Sequence, residues 1–283
     1  MNLPRLSPLV IEPLVRATIL EDLGLAGDIT SHAVVPEGHR SAMLFTLREP
    51  GVVAGLDVAE SAFRQVDPDL RFERVARDGA MLEAGAVIAR VAGASRSILA
   101  GERTALNFLG LLSGVATATA GLVEAVKGTK ASIVCTRKTV PGLRALQKYA
   151  VRAGGGMNHR FALYDAVLIK DNHIAVAGSV RKAITQAKTN AGHMVKIEVE
   201  VDTFEQLREA LEVGVDVVLL DNMSPERLRE AVAIIDGRAI AEASGGITPQ
   251  TVAEVAKSGV DLISVGWITH SAPNLDIGLD FEF

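Results

Sequence analysis

The stretch VKIEVEVDTFEQLREALEVGVDVVLLDN, residues 195–222, decides the fold class because it holds one complete strand–helix–strand unit. Alternating β-branched residues predict a strand over Val195–Val201, and a continuous apolar run predicts another over Val215–Leu220. Between them lies a helical pattern over Thr203–Val213, and Gly214 stands where that helix should end. Strands joined by a helix pair in parallel, so the segment predicts an α/β domain.

The same rhythm fills the chain after residue 130. Further strands are predicted over Ala131–Thr136, Ala166–Ile169, Ala239–Ala243 and Asp261–Val265, and further helices over Val140–Ala153, Ser179–Ala191, Ser224–Ile235 and Thr248–Ser258. Ser224 and Thr248 are each followed by proline, which suits a cap and a first helical turn. Six strands are fewer than the eight of a closed barrel. We therefore predict an incomplete (β/α) barrel, with an open sheet as the alternative.

The first half of the chain has a different pattern. A helix is predicted over Leu9–Glu21, and short strands then alternate with glycines. The phrase ARDGAMLEAGAVIARVAG, residues 76–93, is similar to the hairpin of a biotinyl or lipoyl carrier domain. A carrier needs an exposed lysine to acylate, and the first lysine of this chain is Lys127. The half is thus predicted to be structural, as a lid or a dimer partner.

Composition narrows the class of protein. The 283 residues are 48% hydrophobic and 22% charged, as in soluble globular proteins. The single Cys135 excludes an internal disulfide framework, and the N-terminus has no continuous apolar run that predicts a signal peptide. Residues 104–123 carry no charge, but their glycines and hydroxyl residues predict a buried helix or helix pair at an interface rather than a membrane span.

Positive charge is concentrated between Ala125 and Tyr164. This basic island holds Lys127, Lys130, Arg137, Lys138, Arg144, Lys148, Arg152 and Arg160 and no acid, which leaves 21 basic and 34 acidic residues elsewhere. A uniformly basic chain would indicate nucleic acid, whereas a compact island in an acidic chain indicates a small, multiply charged anion. The alternative interpretation is a solvated helix face.

Function in a (β/α) barrel lies at the carboxyl ends of the strands. In chain order these ends carry Thr136-Arg137-Lys138, Lys170-Asp171-Asn172-His173, Glu198 and Glu200, Asp221-Asn222, Ser244-Gly245-Gly246, and Gly266-Trp267. The two late glycine loops favour a phosphate site. Glu200 and Asp221 favour Mg²⁺ or ribose hydroxyls, with ion pairing to a nearby lysine or arginine as the alternative. His159, His173 and His193 lack close ligand spacing, so we expect no metal site there.

The segment RKTVPGLRALQKYAVRAGGGMNHRFALYDAVLIKDNHI, residues 137–174, resembles the signature of the quinolinate phosphoribosyltransferase family. The phrases EDLGLAGDIT, GERTALNFLGLLSGVAT, EVEVD, LLDN, EASGGI and SVGWITH extend the resemblance over nearly the whole chain in the family's order. The resemblance implies an N-terminal α/β sandwich domain over residues 1–112 and an incomplete α/β barrel over 113–269. A tail over 270–283 is expected to pack back on the sandwich.

The resemblance also implies a reaction. Phosphoribosyl passes from 5-phosphoribosyl 1-pyrophosphate to quinolinate with decarboxylation, which gives nicotinate mononucleotide, pyrophosphate and CO₂ and uses Mg²⁺ but no organic cofactor. The implied substrate residues are Arg137, Lys138, His159, Arg160 and Lys170 for quinolinate, Glu200 and Asp221 for ribose and metal, and Ser244, Gly245, Gly246 and Gly266 for the 5′-phosphate. Thr136, Val265 and Trp267 are also implied to bind substrate. Lys138, Glu200 and Asp221 are the implied catalytic residues.

Partners follow from the same resemblance. A cytoplasmic homo-oligomer, either dimer or hexamer, is expected, in which Arg103 of the phrase GERT is donated across the interface. Neither nucleic acid nor a membrane is an expected partner. The alternative is a paralogous enzyme that acts on another anionic base, as a molybdenum-linked relative would.

Overall fold

The computed structural model describes residues 3–282, which divide into two compact units. The first unit comprises the residues up to Ala120, Thr139–Gly155 and the residues from Ser271 onward, and the second comprises Gly121–Lys138 and Gly156–His270. The predicted domain boundary after residue 112 falls inside a single long helix and stays a prediction.

Helices and strands are numbered in chain order. The helices are α1 Pro8–Leu23, α2 Ile29–Val34, α3 Leu56–Val66, α4 Ser95–Ala125, α5 Arg144–Ala153, α6 Asp171–Ala177, α7 Val180–Asn190, α8 Phe204–Val213, α9 Pro225–Ile235, α10 Val252–Ala256 and α11 Trp267–His270. The strands are β1 Arg40–Leu47, β2 Gly51–Val52, β3 Arg71–Arg74, β4 Met81–Leu82, β5 Val87–Ala94, β6 Ser132–Val134, β7 Val167–Ile169, β8 Ile197–Val201, β9 Val217–Asp221, β10 Ile240–Ser244, β11 Leu262–Ser264 and β12 Ile277–Phe281.

The first unit is built on an antiparallel sheet in the order β12-β1-β5-β3, with the pair β2-β4 beside it. The apolar face of α3 buries Phe63, whose ring lies 5.8 Å from that of Phe45 and 5.9 Å from that of Phe72. Aromatic rings at these separations contribute both buried area and favourable ring geometry. The core of the unit therefore lies between α3 and the sheet.

The uncharged stretch over residues 104–123 lies within one helix, α4, rather than a helix pair. Among the described residues α4 is long and apolar enough to cross a membrane, but 61% of its most apolar window is buried inside the protein. Its small residues serve close packing. A Cβ on Gly114 would lie 2.0 Å from the carbonyl oxygen of Pro273, and one on Gly154 after α5 would lie 2.3 Å from that of Ala116.

The second unit confirms the incomplete barrel. Its six strands are all parallel, in the order β6-β11-β10-β9-β8-β7, so β6 and β7 are the outer strands. An isolated bridge joins Val134 at the end of β6 to Met157. All six predicted strands form, each trimmed or shifted by one or two residues at one or both ends.

Helix starts agree with the prediction in part. Ser224 caps α9 ahead of Pro225, as expected. Thr203, the first residue of the predicted helical pattern, is the N-cap of α8, and Gln206 is its partner. The predicted start at Thr248 is wrong, because residues 248–251 form a turn and α10 begins only at Val252. The predicted helix over Val140–Ala153 begins later, at Arg144, after a turn in which the N–H of Leu143 donates to Val140.

Candidate active site

A cavity of about 500 Å³ opens at the carboxyl ends of the barrel strands. It is lined by Thr136, Arg137, Lys138, His159, Arg160, Leu168, Lys170, Glu200, Leu219, Asp221, Asn222, Ser244, Gly245, Gly246 and Ser264. Among the described residues that line it, four carry a permanent positive charge and two are acidic. A concave surface with an excess of one sign raises the local concentration of ions of the other sign, so the cavity favours anions.

Four predicted site residues lie outside this lining. Gly266 is adjacent to it, since a Cβ there would lie 3.0 Å from Cδ of Lys138. Val265 is buried in the strand layer, and Trp267 begins α11. Arg103 is exposed on α4, in the first unit.

The cationic side follows β6 and the segment before β7. The N–H of Lys138 donates to Oγ1 of Thr136 at 3.0 Å, and Oγ1 of Thr269 donates to the carbonyl of Lys138 at 2.7 Å. Nη1 of Arg160 donates to the carbonyl of Ala166 at 3.1 Å. Burial lowers the pKa of Arg160, and the neighbouring positive charge of Arg137 lowers it further. These two guanidinium groups therefore lie close enough to repel each other.

The acidic side is formed by β8 and β9. Nζ of Lys170 donates to Oε2 of Glu200 at 2.7 Å, so the ion pair considered for Glu200 from the sequence is present. Lys170 is about half exposed, whereas its partner Glu200 is mostly buried, so solvent screens this pair only in part. Burial raises the pKa of Asp221, and the charge of Asp202 adds to the shift. An anionic ligand at the cavity would compete with Glu200 for Lys170.

The glycine loop after β10 has the backbone that the sequence suggested. Gly245 and Gly246 have φ of +96° and +58°, a region that favours glycine. A Cβ on Gly245 would also lie 2.1 Å from Oδ1 of Asn222, so a side chain has no space there. The loop lines the cavity with main chain alone at these two positions, which suits the approach of a phosphate.

A buried cluster adjoins the cavity at His159, and it includes Glu242, which was not predicted from the sequence. Nε2 of His159 is 3.0 Å from Oε2 of Glu198 and 3.5 Å from Oε1 of Glu242. Burial raises the pKa of Glu242 to about 7, and the charge of Glu198 acts in the same direction. Glu242 interrupts the apolar run IAEAS in a predicted strand, so the sequence held a signal that could have found it.

This cluster bears on the expectation that the histidines form no metal site. The donor atoms of His159, Glu198 and Glu242 lie within 4.8 Å of one another, a spacing that could hold an ion. However, Nδ1 of His159 accepts the N–H of Arg160 at 2.8 Å, which places the proton of the neutral ring on Nε2. In this tautomer Nε2 donates to Oε2 of Glu198, with Glu242 beside the pair, and the expectation about a metal stays a prediction.

The basic island does not act as one surface. Arg144, Lys148 and Arg152 lie on α5 in the first unit and are absent from the cavity lining. Lys148 is fully buried, which contradicts the solvated helix face considered as an alternative for the island. The residues of the island that line the cavity are Arg137, Lys138 and Arg160.

Comparison with known families covers almost the whole chain. Residues 115–280 match the C-terminal domain of quinolinate phosphoribosyl transferase, and residues 28–113 match the N-terminal domain of the same family.

Individual relatives agree with these matches. A probable nicotinate-nucleotide pyrophosphorylase (carboxylating) of Bacillus subtilis (strain 168) is 44% identical over 96% of this chain and 93% of its own length. The nicotinate-nucleotide pyrophosphorylase (carboxylating) of Mycobacterium leprae (strain TN) is 46% identical over 94% of this chain and 95% of its own length. The solved nicotinate-nucleotide pyrophosphorylase of Francisella tularensis superposes with a TM-score of 0.95 at 39% identity, over 100% of this chain and 99% of the other.

Proposed function

The chain belongs to the quinolinate phosphoribosyltransferase family, and on that premise we propose that the barrel-mouth cavity binds quinolinate and 5-phosphoribosyl 1-pyrophosphate together. The enzyme transfers phosphoribosyl to quinolinate with decarboxylation and releases nicotinate mononucleotide, pyrophosphate and CO₂. The observation that carries the assignment of the site is the cavity's four cations, two carboxylates and glycine loop at the carboxyl ends of parallel strands.

Quinolinate carries two carboxylates on adjacent ring carbons, and the cationic side of the cavity suits them. Arg137 and Arg160 offer planar forks that bind carboxylates through two hydrogen bonds, and Lys138 and Lys170 add point charges. The substrate's negative charges offset the repulsion between Arg137 and Arg160. Binding therefore places negative charge beside two guanidinium groups that lie close together.

Phosphoribosyl pyrophosphate suits the other side. The main chain of Gly245 and Gly246, with Ser244 and Gly266 beside them, would hold the 5′-phosphate. Glu200 and Asp221 end neighbouring strands β8 and β9 and face one cavity, so their oxygen atoms suit ribose hydroxyls and Mg²⁺. The ion, when bound, would neutralise charge on the departing pyrophosphate.

The chain's own residues act mainly by position and charge. The cavity brings two polyanions together, and the nearby carboxylates of Glu200 and Asp221 stabilise positive charge as it develops on the ribose. The pyridine nitrogen then bonds to the ribose carbon, and the ring becomes cationic. That charge stabilises the electron pair left on the ring carbon when the adjacent carboxylate departs as CO₂, and a proton taken up from solvent then forms the C–H bond of nicotinate mononucleotide. Lys138, held between Thr136 and Thr269, is placed to compensate the substrates' negative charge throughout.

The active assembly is proposed to be a cytoplasmic homo-oligomer in which Arg103 completes the partner's cavity. Its support is the exposure of Arg103 on α4, outside the cavity lining. Mixing inactive Arg103→Ala with inactive Lys138→Ala should restore activity at roughly a quarter of the sites after subunit exchange, because mixed dimers hold one intact site. No recovery in a mixture whose exchange is verified would contradict donation across the interface.

The function is tested by steady-state turnover. Purified protein is incubated with phosphoribosyl pyrophosphate, Mg²⁺ and either quinolinate or nicotinate, and nicotinate mononucleotide is measured by chromatography. We expect turnover of quinolinate and not of nicotinate, which lacks the second carboxylate. Failure with quinolinate, or equal rates with both bases, would favour the alternative of a paralogue that acts on another anionic base.

A further inference from the structure

Asn222 has an unusual backbone conformation. Among the described residues it and Asp236 are the non-glycine residues with positive φ, at +52° and +46°. Asp236 is the C-cap of α9, a position where the left-handed conformation closes a helix. Asn222 ends no helix; it follows β9 directly and lines the cavity. Asparagine is among the few residues that tolerate this region, so the side chain at this position is constrained.

The contacts of Asn222 join the two halves of the proposed phosphoribosyl site. Its Nδ2 donates to Oδ2 of Asp221 at 2.5 Å, and its main-chain N–H donates to the carbonyl of Ser244 at 2.9 Å. Its Oδ1 occupies the space that a Cβ on Gly245 would need, at 2.1 Å. A single amide thus contacts both the acidic side chain at the end of β9 and the glycine loop at the end of β10.

The sheet makes this link direct. Asp221 and Ser244 are paired in register on the neighbouring strands β9 and β10, so the two strand ends lie side by side. The left-handed turn at Asn222 directs the amide across that gap instead of along β9. The same geometry explains why residue 245 is glycine beyond its positive φ, since the amide of Asn222 fills the position of its missing side chain.

We infer that Asn222 is a positioning residue, which fixes the Asp221 carboxylate relative to the Gly245–Gly246 loop so that the ribose and 5′-phosphate of phosphoribosyl pyrophosphate bind as one rigid unit. The inference rests on the proposed function, because it assigns the two sides of this contact to one substrate. Asn222 acts through Asp221 and Gly245 and not on the reacting atoms.

Two substitutions separate the amide from the backbone. Asn222→Gly keeps the positive φ and removes the amide, whereas Asn222→Ala removes the amide and also strains the turn. Both should weaken binding of phosphoribosyl pyrophosphate, measured by calorimetry with Mg²⁺ and without quinolinate, by roughly 10-fold or more, as expected for loss of a hydrogen bond to a charged group. In steady state, KM for phosphoribosyl pyrophosphate should rise while KM for quinolinate stays within about twofold.

The matched control is Asp236→Gly, which relieves the other positive φ at the end of α9. It should leave both KM values and the calorimetric affinity unchanged. Thermal unfolding of each variant shows whether the fold persists, and Asn222→Gly is expected to melt at the wild-type temperature. The positioning role is overturned if Asn222→Gly binds phosphoribosyl pyrophosphate as the wild type does, whether or not Asn222→Ala loses affinity.

The two proposals fail in different ways. If the wild-type protein does not turn over quinolinate, the proposed function falls. If it does, and Asn222→Gly has normal affinity for phosphoribosyl pyrophosphate, only the role of Asn222 falls. Equal increases in KM for both substrates would also contradict the inference, since they would indicate a general loss of cavity structure.

Discussion

The two ends of the barrel both carry charged residues but use them differently. At the amino ends of the strands, charges pair one to one: Lys130 with Asp261 at 2.8 Å and Lys196 with Asp216 at 2.5 Å. Oδ2 of Asp216 also accepts the N–H of Ile197 at 2.9 Å. These carboxylates are therefore satisfied by the chain itself, and their role is to hold strand starts together.

At the carboxyl ends of the strands, cationic side chains outnumber acidic ones. Four cations share the cavity with two carboxylates, and Arg137 and Arg160 lie close enough to repel each other. Folding alone would favour the paired arrangement of the amino end, so the excess of cations is explained by ligands that bring negative charge. The difference indicates which end of the barrel serves stability and which serves chemistry.

Removing one lysine from each end of the barrel should separate the two roles most clearly. Lys138→Ala should lower kcat/KM for quinolinate by about 100-fold, since it removes a charge that the substrates use in the cavity. Lys196→Ala, the matched control, should stay within about threefold because its charge is paired outside the cavity. Comparable losses in the two variants would mean that the positive charge acts only as a diffuse field. Lys148, fully buried on α5, is unsuitable as a control because its removal would disturb packing.

At the amino end of the barrel, substitutions should lower stability and leave activity unchanged. Asp216→Ala should lower the free energy of unfolding by about 1–3 kcal/mol, because it leaves the N–H of Ile197 without its acceptor. Burial opposes ionisation of Asp216, but Lys196 and the N–H of Ile197 outweigh it and lower the pKa. The difference in the free energy of unfolding between the wild type and Asp216→Ala should therefore shrink as pH falls through that lowered pKa, which denaturant titrations at pH 7 and pH 3 would show. Altered KM values in Asp216→Ala at pH 7 would contradict the assignment of the amino end to stability alone.

The smallest effect concerns Glu242, between the two ends. The pKa of Glu242 is about 7, above the ordinary value of a glutamate. At a pH between these two pKa values, the folded protein retains a proton that the unfolded chain has released. Stability of the wild type should therefore fall as pH rises through this window. Glu242→Gln cannot ionise, and its melting temperature relative to wild type should increase from pH 5 to pH 8. A constant difference across that range would show that Glu242 ionises normally in the folded state.

Much of the barrel followed from the sequence because its strands and helices have distinct periods. Glu200, Asp221 and the glycine loop could be located as strand ends, since parallel strands bring their carboxyl ends to one edge. The cluster of His159 with Glu198 and Glu242 could not, because it joins residues far apart in the chain through side-chain contacts. Nor could the contact of Asn222 with Gly245, which depends on a left-handed backbone that an asparagine permits but does not require.

Helix ends were the least predictable part. Proline after Thr248 suited a helix start, yet the chain turns there and α10 has only five residues. The burial of Lys148 was also hidden, because regular spacing along α5 resembles an exposed face until the packing of the first unit is known. Local patterns define the elements, whereas tertiary packing decides which charges remain on a surface.

The reaction itself is tested most directly by following the carboxylate that it removes. Purified protein is incubated with phosphoribosyl pyrophosphate, Mg²⁺ and quinolinate labelled with ¹³C in the carboxylate next to the ring nitrogen, and labelled CO₂, pyrophosphate and nicotinate mononucleotide are quantified together. We expect the three products in equal amounts from the wild type, and likewise from Lys196→Ala, and almost no product from Lys138→Ala. Product formed without labelled CO₂, or at the wild-type rate by Lys138→Ala, would contradict it.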